Sequence, residues 1–169
     1  MTSRGSLQEF QQQLAQRLRG ASNVSPALQR IGVQAGEHQW LIRLQDTGAV
    51  MPVSEISSVP LTRPWFLGLA NIRGNLASVI DFGAFMGKGP TVRTPECRLV
   101  LIAEHFGVHC GLLVARIMGL QNLEQLHVGE GGDERAWVGT LYRDRNGSSW
   151  FELKIDALVA HDDFLRVGL

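Results

Sequence analysis

With 169 residues, 44% of them hydrophobic, the chain holds enough apolar material for one packed domain or two small subdomains sharing a core. Sixteen basic residues balance sixteen acidic ones, so the protein as a whole has no pull toward nucleic acid or anionic lipid. No apolar run approaches the roughly 18 residues of a membrane span, the first residues lack a signal-peptide core, and two cysteines, Cys97 and Cys110, are too few for a disulfide framework.

A soluble cytoplasmic protein is therefore expected. Residues 1–30 form a separate helical extension, in which Arg4, Arg17, Arg19 and Arg30 face Glu9 alone. Ser6 and Glu9 have capping-box spacing, and Leu7, Phe10, Leu14 and Leu18 recur every three or four residues, which predicts an amphipathic helix over residues 7–19. So short a helix needs something to pack on, either its own domain or a partner. Ser25-Pro26 opens a further helical turn. From Ile31 the period becomes two, with Ile31 and Val33, then Trp40, Ile42 and Leu44, and Gly36-Glu37 as a hairpin turn between them. Val50, Val53, Ile56 and Val59 continue in short β-like pieces, and Pro52 and Pro60 place them at sheet edges or strand ends. Pro64 opens an apolar stretch, residues 65–69, read as a single helical turn. Residues 71–81 follow as a strand and residues 82–86 as a short helix, before Gly87-Lys88-Gly89-Pro90 breaks the chain.

Residues 91–96 read as a connector, and the region 87–96 as the division between two halves of a domain spanning residues 31–165. Strands are predicted over residues 98–103 and 108–114 around a Phe106-Gly107 turn, with a further mixed strand over residues 118–126. A mobile surface loop is expected at residues 129–133. Residues 136–142 and 150–153 flank a turn in which Asn146-Gly147 predicts a type I′ hairpin. Residues 155–160 close as a short helix, with Phe164 and Leu165 packing beneath it. Many short strands with glycine turns and few helices predict a mainly β fold of small barrels.

Catalytic patterns are weak. His105, His109 and Cys110 are close in sequence, but the Gly107 turn between the histidines works against a tetrahedral metal site, and structural histidines are expected. His161 with Asp162-Asp163 reads as a solvated cluster, and Gly87-Lys88-Gly89 is too short for a phosphate loop. Ser148 and Ser149 have no histidine nearby. The chain is therefore read as not an enzyme, with no catalytic residue, cofactor or metal. Its scattered basic residues make no nucleic-acid footprint, and its four tryptophans read as core or interface anchors.

At Asn71-Ile72-Arg73-Gly74, followed by Val79-Ile80-Asp81, the sequence resembles the CheW family of chemosensory coupling proteins, whose hallmark is N-[LIV]-R-G leading into [VI]-[VI]-D-[LF]. Ser78 stands where many members have a proline before the final segment. Val53-Ser54-Glu55-Ile56 is similar to the family's V-x-E-I strand, and residues 111–119 to a segment of its second half. Residues 60–68 look more like one branch, the CheW-like adaptor of type IV pilus twitching-motility systems.

The resemblance implies two intertwined five-stranded SH3-like β-barrels. It also implies a scaffold linking the cytoplasmic tip of a methyl-accepting chemoreceptor to the regulatory domain of a CheA-type histidine kinase. Such a protein is recruited to receptor arrays without inserting into the membrane. Arg73 and Glu55 are implied to lie at functional surfaces, paired with each other or facing a partner, with Asn71 and Gly74 beside them. Val79 and Ile80 are expected in the core, Asp81 as a helix N-cap, Asn71 tying the preceding turn, and Trp65 and Phe66 plugging a barrel end. The alternatives are a flagellar coupling protein, a sensor holding a metabolite between its halves, and, least favoured, a hydrolase using His105 or His161.

Overall fold

The structure, a computed structural model, describes residues 9, 11–13 and 25–169. Residues 9 and 11–13 are helical and exposed; the rest of the helix predicted over residues 7–19 lies outside the described residues. Pro26–Leu28 makes a single 3-10 turn, as Ser25-Pro26 suggests.

Twelve strands follow: β1 (Gln29–Ala35), β2 (His38–Arg43), β3 (Thr47–Pro52), β4 (Ile56–Ser57), β5 (Phe66–Ile72), β6 (Asn75–Asp81), β7 (Arg98–Ile102), β8 (Cys110–Val114), β9 (Arg116–Asn122), β10 (His127–Val128), β11 (Val138–Arg143) and β12 (Ser149–Leu153). Among the described residues from 25 onward three short α-helices accompany them: α1 (Phe82–Phe85) between β6 and β7, and α2 (Ile155–Val159) and α3 (Asp162–Leu165) after β12. The strands form two sheets of six, ordered β10-β11-β12-β2-β1-β9 and β3-β7-β8-β6-β5-β4. The mainly β, two-part fold is as expected, each part having one strand more than the five that the resemblance implies. Both sheets draw strands from both sides of residues 87–96, so the sequence halves and the sheets divide the chain differently.

Why several strands read as unbroken apolar runs follows from where their two faces go. Alternate residues of a strand point to opposite sides. In β2, Trp40 and Ile42 enter a large core shared by the two sheets, while Leu41 enters a small core belonging to the first sheet. In β6, Ile80 faces the shared core and Val79 the second sheet's own core; in β8, Leu112 and Val114 divide from Leu113 in the same way. Both β2 and β6 have a parallel neighbour, β12 and β8, as expected for strands covered on both faces. The shared core centres on Trp40, Phe82 and Trp137, whose rings meet at 5.2 Å (Trp40–Phe82) and 5.8 Å (Phe82–Trp137).

The helical turn expected at residues 65–69 is instead the start of β5. Burial alternates through Phe66, Gly68, Ala70 and Ile72, the period of a strand. A bulge between Phe66 and Gly68 lets Phe66 reach the shared core while Ala70 and Ile72 reach the other. Gly68 (φ 131°) is required there, since a Cβ would lie 2.0 Å from the Ser57 carbonyl oxygen. Phe66 is buried as expected, and Trp65 stacks on Phe164 at 6.4 Å. Leu165, expected under the last helix, is 55% exposed; only Phe164 packs inward. Arg30 belongs to the domain and not to a basic arm: it is buried and paired with Glu152 at 3.3 Å.

Candidate partner-binding site

Asn71 to Asn75 is the two-residue hairpin joining β5 to β6, closed by the pair Ile72↔Asn75. Arg73 (φ 52°) and Gly74 (φ 86°) both take left-handed backbone, the signature of a type I′ turn. For Gly74 this carries no penalty, but for an arginine it costs on the order of 1 kcal/mol. The Gly74 N–H donates to Asn71 Oδ1 at 2.9 Å, so Asn71 ties the turn that follows it, not the one before as its sequence position suggests. Asn71, Arg73 and Gly74 are all exposed, and the turn projects the guanidinium from the end of the hairpin.

Glu55 is also exposed and immediately precedes β4, whose Ile56 pairs with Ala70 of β5. The two charged residues share one end of the sheet, yet they form no ion pair with each other. Of the segment Val53-Ser54-Glu55-Ile56, only Ile56 is in a strand.

Below Arg73 runs a groove of about 210 Å³ with an apolar wall of Ala49, Leu76, Leu101 and Val108 and with Glu104 at its rim. Leu76, on the same strand, is 65% exposed and lies along this groove, whereas Val79 and Ile80 are buried at 1% and 2% as expected. No sequence feature singles Leu76 out, because the strand's period alone does not say where its neighbour begins.

Asp81 caps α1 as predicted, accepting from the Ala84 N–H at 3.1 Å. It also accepts from the Thr91 hydroxyl (2.6 Å) and the Thr91 N–H (2.7 Å), tying the 87–96 connector to the sheet. This buried carboxylate is a structural post, with its oxygens committed to those three donors.

The remaining candidates lie apart. His105 is largely exposed, its ring tilted against that of Phe106 at 4.2 Å, with its Nε2 3.9 Å from Asp46 Oδ1. Burial raises the Asp46 pKa above the ordinary carboxylate value, against the opposing pull of Arg43 and His105. Burial likewise pushes the Cys110 thiol up to about 12, which leaves it unreactive. His161, between the last two helices, has its Nδ1 3.9 Å from Asp163 Oδ2. Among the described residues no group of three His, Cys, Asp or Glu converges as metal ligands, and no helix is long and apolar enough to cross a membrane.

Comparison with known proteins places these features in context. Residues 29–163 match the model of the CheW-like domain. Protein PilI of Pseudomonas aeruginosa is 29% identical over 147 residues, which cover 82% of this chain and 79% of PilI. The crystal structure of the scaffolding protein TtCheW from Thermoanaerobacter tengcongensis superposes with a TM-score of 0.67 at 17% identity, over 81% of this chain and 95% of that one. That likeness concerns the fold.

Proposed function

The chain belongs to the CheW-like domain family, and from that premise we propose that it is a non-catalytic adaptor coupling methyl-accepting chemoreceptors to a CheA-type histidine kinase. The likeness to PilI supports the pilus branch of that reading, a chemosensory pathway controlling type IV pilus twitching motility. On this reading the protein works in the cytoplasm, recruited to receptor arrays at the membrane. The coupling domain, first expected over residues 31–165, then begins with β1 at Gln29, and the residues before β1 are an extension to it.

The observation that carries the docking role is Arg73. Its backbone is held in a conformation unfavourable for any residue but glycine, asparagine or aspartate, it is exposed, and it takes part in no ion pair within the described residues. Intramolecular stability gives no reason to keep an arginine there. A partner's carboxylate does, because a guanidinium offers two parallel donors and arginine is enriched at interface hot spots. Asn71 and Gly74 hold the turn that aims it, and Glu55 supplies a separate polar contact just ahead of the neighbouring strand β4. Co-precipitation with the regulatory domain of the cognate kinase and with the receptor tip tests the assignment. Arg73→Glu is expected to abolish capture while leaving the thermal unfolding midpoint unchanged. Capture equal to wild type would remove Arg73 from the interface.

A further inference from the structure

The open edge of β6 beside Arg73 points to the form in which a partner binds. Antiparallel strands direct alternate residues' N–H and C=O groups toward and away from a given neighbour. In β6 the parity is fixed at two places. The Ser78 N–H leaves β5 and reaches the His109 carbonyl oxygen at 2.9 Å, whereas the Asp81 N–H turns back to the Trp65 carbonyl oxygen at 2.8 Å. Leu76 is two residues before Ser78, and its pairing position opposite Asn71 is the outward type. Its N–H and C=O therefore point the way Ser78 points.

At Ser78 that direction is filled by β8, whose pairing with β6 begins at Ser78↔Cys110. At Leu76 it is not, because β8 has not yet started, and the Leu76 N–H and C=O have no backbone partner among the described residues. The groove under Arg73 lies along this gap, with Val108 on its far side. Unpaired strand edges recruit extended chain from elsewhere, main-chain bonds giving affinity and side-chain pockets giving selection.

We infer that an extended segment of the docking partner adds to the β6 edge at Leu76. It exchanges main-chain hydrogen bonds with Leu76, lays an apolar side chain into the groove, and places an acidic residue on Arg73. The inference rests on the docking reading above and specifies its geometry. The occupant is a segment of the docking partner: the groove joins an apolar wall to a free guanidinium, which complements an apolar residue beside an acidic one.

The test uses the full chain and the regulatory domain of the cognate kinase as the probe. Leu76→Pro removes the outward N–H without breaking a bond to β5, since position 76 donates nothing to β5, and proline is tolerated at such an edge. Leu76→Ala controls for the side chain. Leu76→Pro is expected to weaken binding roughly tenfold more than Leu76→Ala. In the wild-type chain, exchange of the Leu76 amide hydrogen, followed by NMR, is expected to slow when the kinase domain is added; this measurement stands even if the proline variant folds poorly. Binding that Arg73→Glu destroys, without slowed exchange at Leu76, would overturn strand addition and leave the docking role of Arg73 intact. A wild-type chain that does not bind the kinase domain overturns both. Protection of Leu76 that grows with the concentration of this chain alone would overturn the choice of occupant in favour of a second copy.

Discussion

Two hairpin ends of this molecule use a charged residue in opposite ways. In the β11–β12 loop the Asp144 carboxylate is consumed by the fold: Oδ1 accepts from the Asn146 and Ser148 N–H groups, each at 2.9 Å, and Oδ2 from the Trp150 indole N–H at 3.1 Å. These bonds, the Trp150 one foremost, hold its pKa below the ordinary carboxylate value. At the β5–β6 turn the backbone is tied by one Asn71 bond, and the Arg73 guanidinium is left for solvent or a partner. A turn that spends its charged side chain on itself is structural. A turn that adopts an unfavourable backbone and still leaves the charge outside fits the presenting role proposed for Arg73.

The contrast can be broken experimentally, and its largest expected effect is on binding. Arg73→Glu should weaken kinase-domain affinity by about 30-fold or more, the loss expected for an interface hot spot of about 2 kcal/mol, measured by calorimetric titration. Asp144→Ala should show the reverse pattern: a clearly lower unfolding midpoint and a shifted Trp150 fluorescence, with affinity for the kinase domain unchanged. Equal losses of affinity in both variants would erase the distinction.

The contrast also has a pH signature. A carboxylate whose folded pKa lies below its unfolded value contributes stability that is fully present above the unfolded value of 3.8 and disappears as the pH falls through the lower folded value. Denaturant titrations between neutral pH and the acid range should therefore show Asp144→Asn and wild type converging as the carboxylate protonates. Asp46 has the opposite sign: its raised pKa means that ionisation opposes folding from 3.8 upward through the higher folded value. Asp46→Asn should accordingly be more stable than wild type at neutral pH and lose that advantage in acid.

A smaller effect sharpens the comparison further. Arg73→Asn converts the turn to Asn-Gly, a pair suited to left-handed backbone, and should stabilise the fold by about 0.5–1 kcal/mol in denaturant titrations while still losing the partner. The smallest belongs to Glu55→Ala, expected to change stability by less than about 0.5 kcal/mol because no internal ion pair is lost. Its effect on stability should add to that of Arg73→Ala; a marked departure from additivity in the double mutant would indicate that the two residues pair in solution.

The same pair of turns shows how far the sequence could be read. Asn146-Gly147 predicts a type I′ turn, yet only Gly147 has positive φ (82°). Asp144 accepts from Asn146 and Ser148, and the Gly147 N–H bonds back to the Asp144 carbonyl, so the strands close around three residues ending in a left-handed glycine. The competing acceptor three residues from the glycine decided the geometry. The true type I′ turn sits at Arg73-Gly74, where local preference argues against it and only the motif drew attention. Strand positions such as those of Trp40, Ile42, Val79 and Ile80 were legible because burial on both faces leaves a dense apolar run. The start of β5 was not, since a bulge breaks the period at the point where it would be read. The exposure of Leu76 depends on where β8 begins, some 30 residues further along, and no local pattern encodes that.

The parallel pairing of β2 with β12, Trp40 beside Phe151 and Ile42 beside Leu153, has a consequence for biosynthesis. A central strand of the first sheet waits for a neighbour encoded far downstream, so that sheet cannot be completed until β12 has been synthesised. Through that interval β2 offers a bare edge and the Trp40 ring to whatever the ribosome exit brings near, including a sister nascent chain. Non-local closure of this kind slows folding and lengthens exposure to aggregation. Fragments ending before β12 should accordingly be captured by chaperones or lost to proteolysis, and a circular permutant that joins β12 directly ahead of β1 should fold sooner than the natural order.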